Sequence, residues 1–286
     1  APVERLLERL LREWKPDAVV CTYMVYPYML DSLASRTGRA VPYLTVVTDS
    51  FVINKSWLCS KSPLWAVTDP WTRAIMEEKG LPQDRLRVTG FPVNPVLGAV
   101  AKEHPLSWKE GEPFRVLYFA HRSARHARAE LAGMLDANPA LHVTCILGRR
   151  FRRIYPRIRD LRARYGRRLT VRGWTRRVPS YLAASHVVVG KAGGATVHEV
   201  LAAARPMLVN FLLPGQEEGN TRLLEKLGGG GHVPDVRALA SALQEMMADG
   251  GAQWRRMHEN LLRAGMTGGS GRIADLALKL AEEHTN

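Results

Sequence analysis

The chain has 286 residues, 46% of them hydrophobic and 24% charged, and a formal net charge of +14. That balance describes a globular protein with enough material for one large core or two ordinary ones. No run approaches the roughly 18 consecutive apolar residues of a membrane-crossing helix, and glutamates and arginines stand where a secretory leader would be apolar.

In chain order, Val3, Leu6, Leu7, Leu10, Leu11 and Trp14 repeat at helical spacing and predict a core-facing stripe. An apolar strand at Ala18–Cys21, a helix from about Tyr26 to Ser35 and a strand at Tyr43–Thr48 follow. Leu64–Thr68 reads as a further strand, with Pro70 in the first turn of the helix it feeds. After Pro92 and Pro95 the pattern dissolves until Pro113, which predicts a linker over 99–112. A second series opens at Phe114–Ala120 and continues through strands near His142–Leu147, Leu169–Val171, Val187–Val189 and Met207–Phe211. Helices from about Val236 complete it, and the last, Ile273–Glu283, is expected to cross back to the first domain. Repeated β-α alternation predicts an α/β protein with parallel, doubly wound sheets. The expected division is an N-terminal domain over 1–98, the linker, a C-terminal domain over 113–270 and a terminal helix over 271–286.

The chemistry concentrates in two stretches, Val187-Val-Val-Gly-Lys-Ala-Gly-Gly-Ala-Thr-Val-His-Glu199 and Leu213-Pro-Gly-Gln-Glu-Glu-Gly-Asn220. In each, an apolar strand empties into a glycine-containing turn and a helix follows. A helix start offers unpaired N–H groups and partial positive charge, which suits a phosphate. Gly193 and Gly194 let that backbone approach a ligand, with the helix expected to begin at Ala195. Gln216, Glu217 and Asn220 add side chains able to hold hydroxyls, so the pair of loops suits a nucleotide sugar. Thr196-x-x-Glu199 reads equally as a capping box. Glu217 and Glu218 can also complement a helix dipole.

These residues carry a resemblance. Lys191–Glu199 with Gly215-Gln-Glu-Glu-Gly-Asn220 resembles the monogalactosyldiacylglycerol synthase and processive diacylglycerol glucosyltransferase family, and more distantly the lipid II glucosaminyltransferase. Pro42–Asp49 with Trp57, Ala66–Asp69, Gly80-Leu-Pro and Val88-Thr-Gly-Phe-Pro-Val93 follow the family's N-domain in order and spacing. The resemblance implies a GT-B fold and an inverting hexosyl transfer from a UDP-sugar to a diacylglycerol-like lipid. It implies that Glu199 holds the ribose, that Gln216 and Glu217 fix the sugar, and that Lys191 and Arg149 lie near the diphosphate. The Gly173-Trp174 turn is expected to meet the base. Asp49, at a strand end, is the candidate base for the acceptor's proton. No cofactor beyond the sugar donor and no metal are expected: Cys21, Cys59 and Cys145 are scattered at no ligand spacing, which also suggests reduced thiols and a cytosolic address.

The chain departs from that pattern in three places. A Gly-rich loop carrying a His opens the family's N-domain, and nothing before Ala18 matches it, so an incomplete N-terminal domain is expected. The loop after the first strand of the second series reads Phe119-Ala-His-Arg-Ser-Ala-Arg125, without glycine. Asn54 stands where the family has a His ahead of the Trp, and asparagine cannot exchange a proton near neutral pH. These departures set up an alternative, a catalytically impaired nucleotide-sugar-binding homologue with a regulatory or membrane-docking role. A UDP-sugar 2-epimerase is a further rival on the same scaffold, although the carboxylates and histidines it needs do not assemble in the sequence.

Charge is the other signal. Phe114 to Val178 holds 17 arginines, no lysine and three acids, and Arg149–Arg168 carries ten of those arginines around Ile154, Ile158, Leu161 and Tyr165. Such a face suits anionic headgroups at about 1 kcal/mol per basic residue, screened by salt. Peripheral association with the inner face of the membrane is therefore expected. A plain solvated surface is the competing reading, and nucleic acid is not expected, because no recognised binding motif accompanies the arginines.

Overall fold

The computed structural model describes residues 2–103 and 106–285; the side chains of Ala101, Gln216 and Thr285 also lie outside the described set. Two compact units emerge, one formed by 1–93 with 268–286 and the other by 94–267.

The first unit opens with α1 (Pro2–Trp14), β1 (Val19–Cys21), α2 (Val25–Thr37), β2 (Tyr43–Val46), β3 (Leu64–Val67), α3 (Pro70–Glu78) and β4 (Leu86–Val88). Its four strands are parallel and ordered β1-β2-β3-β4. Parallel strands are covered on both faces, which is why every residue of β2 is buried and β3 reads as an unbroken apolar run. Asp69 caps α3 by accepting the Thr72 N–H at 2.8 Å, with Pro70 in the first turn. The stripe expected on α1 is only half realised. Leu7 and Leu11 pack on Cys21, Leu30 and Tyr43, whereas Val3, Leu6 and Leu10 are exposed and Trp14 is 79% exposed. Helical periodicity marks an apolar face without saying how much of it finds a partner.

The second unit runs α4 (Val96–Glu103), β5 (Phe114–Phe119), α5 (Ala124–Ala137), β6 (Leu141–Ile146), α6 (Phe151–Ile154), α7 (Arg159–Tyr165), β7 (Leu169–Arg172) and α8 (Val178–Ala183). It continues through β8 (Val187–Lys191), α9 (Gly194–Ala202), β9 (Met207–Phe211), α10 (Gln216–Lys226), β10 (Gly230–His232), α11 (Val236–Met247) and α12 (Ala252–Ala264). Part of the expected linker is helix α4, whose Leu97 and Val100 are buried and which packs on α8 and α9. The six strands are parallel in the order β10-β9-β8-β5-β6-β7. The chain then returns to the first unit as α13 (Gly269–Thr285), whose Ile273 joins Leu44, Val46 and Ala66.

The arginine-rich segment is anchored by the residues expected to form its apolar stripe. Ile154, Ile158, Leu161 and Tyr165 are all buried in the main core of this unit. Several arginines also have internal work. Arg168 donates to the carbonyls of Leu135 and Asn138, and Arg128 makes a two-pronged pair with Asp160 at 2.6 Å.

Burial holds two histidines of this unit in the neutral form. His186 accepts the Arg115 N–H at 2.8 Å, and desolvation with the Arg115 charge lowers its pKa to about 3. Burial alone does the same for His198 on α9. The unfolded chain binds these protons near pH 6.5 and the folded chain does not, so stability is full above that value and falls on acidification. Denaturation midpoints measured from pH 7.5 down to 4 should decline through this window, with amide exchange in β8 and α9 accelerating together. A flat profile would contradict the assignment.

Candidate nucleotide-sugar site

Sheet order locates the site before any side chain is considered. From β5 the chain moves outward to β6 and β7, while β8, β9 and β10 lie on the other side of β5. Right-handed crossovers then place the following helices on opposite faces of the sheet, and the loops leaving β5 and β8 part company. Crevices at such a reversal, beyond the strand C-termini, are where open α/β sheets take ligands. Register between β8 and β9 is irregular at Gly190 and Lys191, with Lys191 opposite Phe211, so the strand end is re-aimed there.

Helix α9 starts at the end of β8, with Gly193 as its N-cap and no side-chain cap. The expected capping box is therefore absent. Helix α9 begins at Gly194, which leaves Thr196 inside the first turn and Glu199 in the second, too far along to close on the cap. Glu199 is partly buried, its carboxylate makes no hydrogen bond or ion pair among the described residues, and burial raises its pKa. Gly193 has φ −66° and ψ 139°, and a Cβ there would meet only the Lys191 side chain, at 3.6 Å. Nothing in the unit itself requires glycine at that position, although the approach of a ligand's oxygen would.

The second loop is built differently. Gly215 holds φ 91° and ψ −107°, a backbone that excludes other residues, and it turns the chain into α10. Glu217 is buried; one carboxylate oxygen pairs with the Lys191 ammonium and the other accepts the Leu213 N–H at 2.7 Å. Asn220 donates to the Ala192 carbonyl at 2.9 Å, tying this loop to the other, and its own amide oxygen is buried without a partner among the described residues. The side chain of Gln216 lies outside the described residues. Lys191, Gly193, Gly194, Ala195, Thr196, Glu199, Glu217 and Asn220 thus gather at the ends of β8 and β9.

Arg149 stands exposed in the turn after β6, and Trp174 is exposed beyond β7 with the Arg176 guanidinium 5.5 Å from its ring centre. Gly173, beside it, would bring a Cβ only into ordinary contact with Phe151. Sequence reasoning missed Arg150, which reaches back to the Ala120 carbonyl at 2.9 Å and holds the glycine-free loop after β5. That loop is less basic than its composition suggested. His121 stacks on Phe211 at 4.9 Å, and burial with neighbouring cations lowers its pKa to about 4.

In the first unit, Asp49 is not placed to act as a base. It is 1% exposed and accepts the Trp57 indole N–H at 2.8 Å, which makes it an anchor for the turn after β2. Asn54 caps the same turn by accepting the Ser56 N–H. Among the described residues no group of three or more His, Cys, Asp or Glu could hold a metal, and no helix is long and apolar enough to cross a membrane.

Replacing Gly193 with alanine should leave stability within about 0.5 kcal/mol of wild type. Gly215→Ala should cost about 1–3 kcal/mol, because alanine is strained in that backbone. Chemical denaturation decides between them, and equal costs would remove the argument that Gly193 answers to a ligand.

The profile of the monogalactosyldiacylglycerol synthase family matches residues 1–93. A processive diacylglycerol beta-glucosyltransferase of Bacillus subtilis is 24% identical over 98% of this chain and 73% of its own length. Its namesake from Staphylococcus carnosus is 25% identical over 86% of this chain, and the match spans 63% of that relative. Among solved structures, MurG of Acinetobacter baumannii superposes with a TM-score of 0.66 at 15% identity, covering 95% of this chain and 76% of the other. A UDP-GlcNAc 2-epimerase of Neisseria meningitidis, bound to UDP-GlcNAc, gives 0.67 at 14%, covering 97% and 80%. The chain therefore has the GT-B architecture of two Rossmann-like domains and resembles the monogalactosyldiacylglycerol synthases and processive diacylglycerol glucosyltransferases.

Proposed function

We propose that the chain takes part in transferring a hexose from a UDP-sugar to a diacylglycerol-like lipid, with the second unit as the donor-binding part. The observation that carries this reading is Glu199, a partly buried carboxylate without a partner among the described residues, one and a half turns into a helix that starts at the sheet reversal. A carboxylate kept in that state suits the paired hydroxyls of a ribose. The N-terminus of α9 and the Lys191 ammonium would meet the diphosphate, and their charge would favour its departure as negative charge grows there. Glu217, Asn220 and Gln216 would hold the hexose. Arg149 and the Gly173-Trp174 turn would complete the nucleotide's surroundings. Attack by the lipid hydroxyl at the anomeric carbon, with inversion, follows from the family likeness.

A second reading has its own observation. Asp49 is engaged with Trp57, so the one candidate base in the first unit is occupied, which favours a homologue that binds the donor without turning it over. The arginine face of α6 and α7 would bring either protein to an anionic membrane surface by charge alone, its apolar residues being turned inward.

Calorimetry with UDP, ADP and GDP tests the donor site. Selective UDP binding is expected, weakened about 10- to 100-fold in Glu199→Ala, the value of hydrogen bonds to a charged group; equal binding of all three nucleotides, or none, would defeat the proposal. Release of UDP from UDP-glucose in the presence of diacylglycerol separates the two readings.

Flotation with phosphatidylglycerol vesicles tests the surface. Binding should be lost at 0.5 M salt or after replacing Arg152, Arg153 and Arg159 with glutamine, and binding indifferent to both would rule this face out.

A further inference from the structure

Behind the donor-site loops, the second unit holds a smaller cavity of about 260 Å3 between α5, the end of β9 and the start of α11. It is walled by Ala129, Val233, Val236 and Leu239 and carries Arg122, Glu130 and Asn210. Gly133 shapes it. A Cβ at that position would lie 2.2 Å from a Val236 methyl, so glycine alone lets α11 close on α5.

The polar groups here are buried and incompletely used. Glu130 is 4% exposed; the Tyr118 hydroxyl donates to one of its oxygens, and the other lies 3.8 Å from the Arg122 guanidinium. Asn210 is 5% exposed and lies close enough to Glu130 to favour its charge, yet neither atom of its amide meets a partner at hydrogen-bond geometry among the described residues. Such orphaned groups cost free energy in a folded protein unless a water or a ligand completes them. No role in the donor site uses them. Helix α11 packs on α5, and α9 packs on α10, so this cavity and Glu199 belong to opposite helical layers.

We propose that the cavity is a binding site for a small neutral polyol of about one sugar ring. Charge decides against the alternatives: the buried Glu130 carboxylate is balanced by the Arg122 guanidinium 3.8 Å away, and Asp235, at the rim, is exposed and committed to capping α11, so the lining calls for neither an anion nor a cation. Donors on Arg122 and the Asn210 nitrogen alternate with acceptors on Glu130 and the Asn210 oxygen. A hydroxyl both donates and accepts and so satisfies either kind, while the aliphatic wall suits the C–H face of a ring. The volume is below the roughly 300 Å3 at which pockets for larger ligands begin.

Ligand-observed NMR and calorimetry on the full chain, with D-glucose, D-galactose and glucosylglycerol as probes, test the site. Free hexose and a glycolipid headgroup are the two sources of this chemistry. Saturation by glucosylglycerol as well as hexose identifies the headgroup, and saturation by hexose alone identifies the free sugar. In either case affinity should fall at least 10-fold in Asn210→Leu, which removes the orphaned atoms at similar volume, and in Ala129→Phe, which fills the space from the exposed side of α5. Glu199→Ala should leave sugar binding unchanged while it weakens UDP, so the failure of one site is distinguishable from that of the other. Absence of saturation by every probe, or sugar binding that survives both cavity variants, would overturn the proposal and leave a water-filled void.

Discussion

Everything at the candidate site depends on the reversal of strand order at β5. A parallel sheet must be covered on both faces, because each strand is joined to the next by a helix that crosses over it. Where the order runs outward in both directions from one strand, the loops leaving the two neighbouring strands turn to opposite faces of the sheet and leave a notch. At that notch the chain sets a helix start with no side-chain cap, a lysine and a carboxylate without a partner among the described residues. The bare helix start and the carboxylate are unfavourable or indifferent within the protein taken alone, while the lysine is held by Glu217. On the proposed reading, something anionic that also carries hydroxyls would complete this surface.

How far this was legible depended on the kind of signal. Strands buried on both faces are largely apolar, so β2, β3, β5, β8 and β9 could be read as short apolar runs, and β6 as an alternating one. Strand β10, Gly230–His232, escaped because it has no apolar residue; only its pairing with β9 makes it a strand. Helix α4 escaped because the prolines around it suggested a linker, while the burial of Leu97 and Val100 is decided by tertiary contact. Propensity and periodicity speak about local preference, and these elements are set by distant partners.

The site shows the same limit at the scale of single residues. Thr196-x-x-Glu199 has the spacing of a capping box, but a box needs the helix to start at the threonine, and the turn at Gly193 starts it earlier. Asp49 has the right type at the right strand end for a base, yet the Trp57 indole reaches it first. The arginine cluster was visible as charge. That Ile154, Ile158, Leu161 and Tyr165 would face inward was not, since the same spacing serves a membrane-facing stripe and a core-facing one.

Glu199 and Glu217 show why partners matter more than residue type. Glu217 is already satisfied by the Lys191 ammonium and the Leu213 N–H. A sugar hydroxyl arriving there exchanges one hydrogen bond for another, and such exchanges yield little net free energy. Glu199 gives up only water. On the proposed reading, the nucleotide end would therefore supply most of the donor's affinity, and the sugar end would chiefly orient the hexose. Lys191 couples the two. If a diphosphate draws its ammonium away, the buried Glu217 carboxylate loses its counter-charge, which costs free energy. A hexose hydroxyl donating to Glu217 offsets part of that cost. The site would then hold a complete nucleotide sugar more favourably than its separate halves suggest, and UDP left behind after transfer would be bound less tightly than the donor.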